Sequence, residues 1–149
     1  MASLGIPGLA TTALSAEMMG PISCPPVLSY QAMPEAPYGW LPNPARDVAA
    51  FREGRLIRAD DRAKLATLPP PEGLPADRQV KRARSTTSQW SVNGARAPQL
   101  ILLCQYQNTS ASLAIEIPRN IRRCEFTTEI DDRGNRRDRV GSVPQFICR

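Results

Sequence analysis

Leu100-Ile101-Leu102-Leu103-Cys104-Gln105-Tyr106-Gln107 runs into Asn108-Thr109-Ser110, and Leu113-Ala114-Ile115-Glu116-Ile117 follows before Pro118. The first run is apolar and too short for a stable helix. Asn108-Thr109-Ser110 supplies turn chemistry, because short polar side chains bond their own backbone and tolerate left-handed conformations. The second run ends at a proline, which cannot donate to a strand ladder. Two strands joined by a tight turn is therefore the reading, and it sets a β class for the chain.

Working outward, Arg122–Ile130 places Cys124, Phe126, Thr128 and Ile130 on one face, the period of a strand. Arg133-Gly134-Asn135 reads as a turn, and Val143–Cys148 as a closing strand. Gln89–Val92 is a short strand upstream. Val27–Ala32 is another, after Cys24-Pro25-Pro26. Asp47–Arg52 and Arg55–Arg58 read as two strands joined by a hairpin turn at Glu53-Gly54. Asp60-Asp61 opens a helical turn through Leu65 and Leu68, which Pro69-Pro70-Pro71 stops. Residues 69–88 are rich in proline and charge and read as a long loop. The expectation is a mainly β fold with little helix: one antiparallel meander or sandwich-like domain over residues 22–149, stapled by disulfides. Cys104 and Cys124 would flank the Leu113–Ile117 strand.

The chain has four cysteines, Cys24, Cys104, Cys124 and Cys148, and no histidine. Without histidine there is no Ser-His-Asp or Cys-His relay. Zinc sites of cysteine bring ligands in close pairs, and no pair is close here, so no metal site is expected. Disulfides are the better reading. Four cysteines allow three connectivities. Cys104–Cys124 with Cys24–Cys148 is the favoured pairing, and Cys104–Cys148 is the fallback. Disulfides place the chain in an oxidising compartment. Four buried thiols in a reducing one is the competing reading.

Fifteen prolines argue against long helices and central strands over much of the chain. The formal net charge is +5. Seventeen arginines and two lysines carry the positive charge, all after residue 44. Arg119, Arg122 and Arg123 stand beside Glu116, Glu125 and Glu129. Mixed signs of this kind describe a self-neutralising surface rather than a phosphate track, so no nucleic acid is expected and an acidic protein partner is. Lys81-Arg82-Ala83-Arg84 is more purely basic and reads as an exposed loop. Residues 1–16 are uncharged, apolar and rich in small side chains, so that 1–21 reads as the later part of a secretory signal without its basic start, or a disordered tail. No run approaches the length of a transmembrane helix.

Ile22-Ser23-Cys24-Pro25, Gly39-Trp40, Val48-Ala49-Ala50-Phe51-Arg52-Glu53-Gly54, Leu68-Pro69, Trp90 and Leu103-Cys104-Gln105-Tyr106-Gln107-Asn108-Thr109, with Leu113, Ile117-Pro118 and Cys124, form a series of landmarks. In these the chain resembles a family of small exported proteins of Gram-negative bacteria, over about residues 22–130. The resemblance implies export and a cysteine-stapled β fold. It implies no catalytic residue and no ligand.

The expected function is that of a small periplasmic or secreted binding protein, an inhibitor or immunity-type protein without cofactor. Aromatic residues favour binding hot spots, so the candidate surface is Tyr38, Trp40, Trp90 and Tyr106. Core packing is the competing reading for the last three, and the Tyr38-Gly39-Trp40 rings would then cap one edge of the core. An envelope-associated module, lipid-anchored at Cys24, is the alternative. A small hydrolase is third. It would need paired carboxylates such as Glu116 and Glu125 on one face, or Lys81 with Ser85, and no enzyme is expected.

Overall fold

The computed structural model describes residues 20–67, 69–94, 97–131, 133, 135–136 and 144–149. Of the segment 1–21 that reads as signal-like, residues 1–19 lie outside them, as do Leu68 of the expected helical turn, Gly134 of the expected Arg133-Gly134-Asn135 turn and Val143 of the expected closing strand. The described strands are β1 (Ile22–Ser23), β2 (Val27–Ala32), β3 (Ala45–Arg58), β4 (Arg78–Lys81), β5 (Ser85–Ser91), β6 (Leu100–Tyr106), β7 (Ser112–Glu116), β8 (Arg123–Glu129) and β9 (Gln145–Cys148). One sheet has the order β1-β9-β8-β5-β4 and the other β2-β3-β6-β7, and every pairing is antiparallel. A 3₁₀ helix at Ala59–Ala66 follows β3, where Asp60-Asp61 announced a helical turn.

The fold is thus mainly β and antiparallel, as the sequence implies, in sandwich rather than meander form. Strands β6 and β7 pair as the Asn108-Thr109-Ser110 turn requires, with Asn108 at φ 57°. Strand β8 then leaves for the other sheet, where it pairs with β5 and β9.

Two expectations fail for one reason each. Asp47–Arg52 and Arg55–Arg58 are not a hairpin but one strand, β3. The apolar parity changes within it: Ala49 and Phe51 are buried, then Leu56. A bulge between Phe51 and Glu53 inserts one residue and flips the alternation, so both halves face the core. Glu53-Gly54 therefore mimics a turn in sequence. Gly54 is instead required by packing, because a Cβ there would lie 2.5 Å from Phe146 Cδ2. Residues 69–88 are not loop throughout. Arg78–Lys81 and Ser85–Ser91 form a hairpin whose turn is the basic run, closed by Arg82 N–H donating to the Ser85 carbonyl.

The core lies between the sheets. Its aromatic rings touch in series: Trp90 stacks on Phe146 at 5.3 Å, Phe146 on Phe126 at 5.7 Å, and Phe126 meets Phe51 edge-on at 6.2 Å. Phe51 in turn meets Tyr106 edge-on at 6.0 Å. Strand β6 is buried on both faces. Leu100, Leu102, Cys104 and Tyr106 join the main core, while Ile101 and Leu103 lie on the other face, toward the 3₁₀ helix.

Both disulfides form, with a pairing different from the favoured one: Cys24–Cys104 and Cys124–Cys148. Cys104 belongs to one sheet and Cys124 to the other, and the crossover of β8 separates them. Cys124 instead sits directly opposite Cys148 on neighbouring strands, Cα to Cα 4.0 Å. Cys24 is left to join the sheets through Cys104, 5.7 Å between Cα atoms. The Cys24 sulfur is committed to this bridge, whereas the anchored alternative needs it for a lipid thioether.

Candidate functional site

Six of the eight aromatic side chains pack on or in the core: Phe51, Phe126, Phe146, Tyr106, Trp90 and Tyr30. Tyr38 and Trp40 do not. The expected surface of Tyr38, Trp40, Trp90 and Tyr106 therefore divides. Tyr106 is buried, and its hydroxyl donates to the Pro25 carbonyl at 2.9 Å. Burial pushes this phenol above its ordinary pKa, since the anion would lose its water. Trp90 is half-buried, with Nε1 donating to the Leu74 carbonyl at 3.0 Å. Tyr38 is fully exposed and Trp40 is 74 % exposed, so they cap no edge of the core.

Their setting follows from β3. Its second half pairs with β6, but its first half, Ala45–Ala50, pairs with β2 alone. These residues form a two-stranded arm whose tip is Met33–Pro44. The tip carries Pro34, Pro37, Pro42 and Pro44, each of which fixes its own φ. Trp40 N–H donates to the Pro37 carbonyl at 3.0 Å, and Gly39 has φ 88°. This is a turn with glycine at its third position, the one needing positive φ. It holds the two aromatic residues on either side of Gly39. Met33, Leu41 and Val48 are exposed on the same arm. Rigid apolar side chains lose little entropy when they bind, which is what an anchor needs.

A second feature escaped sequence reading. On the outer face of the β2-β3-β6-β7 sheet, a cleft of about 320 Å³ is lined by Arg52, Arg55, Gln105 and the Thr109–Ser112 turn, with Leu65, Thr67 and Pro69-Pro70 opposite. Arg52 and Arg55 share Glu53 Oε1 at 3.3 and 3.2 Å. Gln105 is buried, and its Oε1 accepts no hydrogen bond from the described residues. Nothing in an apolar strand such as Leu100–Tyr106 announces this, since the bulge in a neighbouring strand creates it.

Of the groups of the hydrolase reading, the carboxylates Glu116 and Glu125 are not brought together, while Lys81 pairs with Thr86, next to Ser85, at the end of the β4–β5 hairpin. Glu116 lies in one sheet and pairs with Arg62 at 2.9 Å. Glu125 lies in the other, with Arg123 at 3.6 Å and Arg149 at 3.8 Å. Lys81 is exposed beside the hairpin turn. Among the described residues no group of His, Cys, Asp and Glu could hold a metal ion, and no helix is long and apolar enough to cross a membrane.

Residues 50–149 match the family model described as the type VI secretion system Tli immunity protein. The chain is also 42 % identical over 141 residues to an uncharacterised 16.3 kDa protein encoded in the trpG 5′ region of Azospirillum brasilense, covering 95 % of this chain and 93 % of that one. No solved structure matches.

Proposed function

Since this chain belongs to the type VI secretion system Tli immunity family, we propose that it is a periplasmic immunity protein that neutralises a toxin by binding it. The tip of the β2–β3 arm is its anchor. The carrying observation is the exposure of Tyr38 and Trp40 on a proline-braced turn while the other aromatic residues pack on the core. Two disulfides favour an oxidising compartment and hence the periplasm. The reading is a non-enzymatic one, in which protection comes from occupying a surface of the toxin.

A survival assay tests this. Recipient cells lacking the gene are mixed with attackers of the parent strain whose type VI secretion is active. Recipients are expected to die, and to survive when the wild-type gene is restored. Tyr38→Ala with Trp40→Ala should not restore survival, since loss of a hot-spot aromatic weakens binding by about 30-fold or more. Its thermal midpoint should match the wild type, because neither ring packs on the core. Equal survival with and without the gene would sink the immunity reading.

A further inference from the structure

One wall of the outer-face cleft, that of Arg52, Arg55, Gln105 and Thr109, is polar, and its chemistry specifies an occupant. Two guanidinium groups, Arg52 and Arg55, share one carboxylate, Glu53, so the cluster keeps one net positive charge. Among the described residues no carboxylate lines the cleft itself. Guanidinium has five donors in a fixed fork, and Arg55 spends one on the Pro71 carbonyl at 3.1 Å. Beside them Gln105 is only 7 % exposed, and its Oε1 accepts no hydrogen bond from the described residues. A buried acceptor left unmet is costly, and the cost is relieved when a donor arrives. Gln105 is among the residues that line the cleft. The site therefore asks for a carboxylate and, next to it, an N–H donor. An Asp or Glu residue in a peptide chain supplies both.

We propose that this cleft is a second binding site, which receives an acidic side chain from a loop of the partner protein. It rests on the immunity reading for the identity of that partner. Continuity with the arm supports a protein rather than a free acid. Val48, Ala50 and Arg52 alternate along one face of β3. Val48, exposed on the arm, is four residues from Arg52, about 13 Å of strand. One partner surface can meet the apolar tip and the arginine cleft together. The cleft residues lie within the stretch that the family match covers, whereas the tip lies before it.

The test uses the full-length oxidised protein, labelled with nitrogen-15, and two blocked tripeptides, N-acetyl-Ala-Glu-Ala-amide and its glutamine counterpart. The glutamate peptide should shift the Gln105 side-chain amide, the Arg52 and Arg55 side chains and Ser112, and the glutamine peptide should not. Arg52→Gln should weaken the response by about tenfold, the scale of a charge-assisted hydrogen bond, and Gln105→Met by about fivefold, the scale of a neutral one. Gln105→Met removes the orphan carbonyl, so its urea midpoint should equal or exceed that of the wild type; a fall would mean that the amide is structural and would overturn the proposal. No response to the glutamate peptide, or an equal response to sodium acetate alone, would overturn it as well. In the survival assay both variants should protect less than the wild type. Full protection by variants that no longer bind the peptide would sink the cleft's role and leave the immunity reading standing. Failure of the wild type to protect would sink the immunity reading, while the peptide titration would still judge the cleft.

Discussion

Gly54 has no room for a side chain. Its hypothetical Cβ meets Phe146 Cδ2 at 2.5 Å and Cγ at 2.9 Å, and that ring is held between Trp90 and Phe126. Gly54→Ala should therefore destabilise the protein by about 2 kcal/mol through overpacking, read as a lower urea midpoint at unchanged slope. Tyr106 makes a different prediction. Its phenol keeps its proton to higher pH in the folded protein than in the unfolded chain. The contribution is then complete below about pH 10, the ordinary value, and is lost as pH rises through the folded one. Tyr106→Phe removes the bond to the Pro25 carbonyl and should cost about 1 kcal/mol at neutral pH. It should also flatten the alkaline fall in stability, measured by urea unfolding across pH 8 to about pH 11.

Between elements, the two disulfides differ in what they close. Cys24–Cys104 spans 80 residues and joins the two sheets, while Cys124–Cys148 spans 24 and joins adjacent strands. On the chain-entropy model they contribute about 4.5 and about 3.5 kcal/mol. Replacing Cys24 and Cys104 by alanine should lower the urea midpoint more than replacing Cys124 and Cys148. The strands that hold Cys104, Cys124 and Cys148 were readable because each is an apolar or alternating run with turn residues beside it, whereas the two-residue β1 next to Cys24 is too short to show a pattern. The pairing was not readable, because connectivity depends on which sheet β8 joins, and residues distant in sequence settle that. The Arg78–Lys81 strand was hidden for another reason. It is a polar edge strand held by its backbone pairing with β5, so it has no apolar signature. At the site, the preference of aromatic residues for hot spots pointed to Tyr38, Trp40, Trp90 and Tyr106 together, and nothing local separated Trp40 from Trp90 and Tyr106. That separation comes from β2 pairing with only half of β3.

For the molecule as a whole, reduction removes both staples, a combined loss of about 8 kcal/mol on the same model. This is comparable to the whole stability of a typical domain, about 5–15 kcal/mol. Four alkylatable thiols and no cooperative thermal transition are the expected behaviour in dithiothreitol, measured by calorimetry and mass. The compartment would thus decide whether the protein folds at all. Charge is distributed to the same end: arginines at the rim sit with glutamates, as in Arg62–Glu116 and Arg123–Glu125–Arg149, so they add little net field.

The bulge between Phe51 and Glu53 lets one continuous strand belong to two regimes. Beyond it, toward Arg58, every inward residue is fixed by the core. Before it, from Ala45 to Ala50, the strand answers mostly to β2. Ala49 and Tyr30 tie the base of the arm to the core, but the tip touches none of it, so drift in the tip costs no foldability. If rival toxins change their surfaces, this lineage can follow them with substitutions at Met33–Pro44 alone, while Phe51, Gly54 and Leu56 stay as they are.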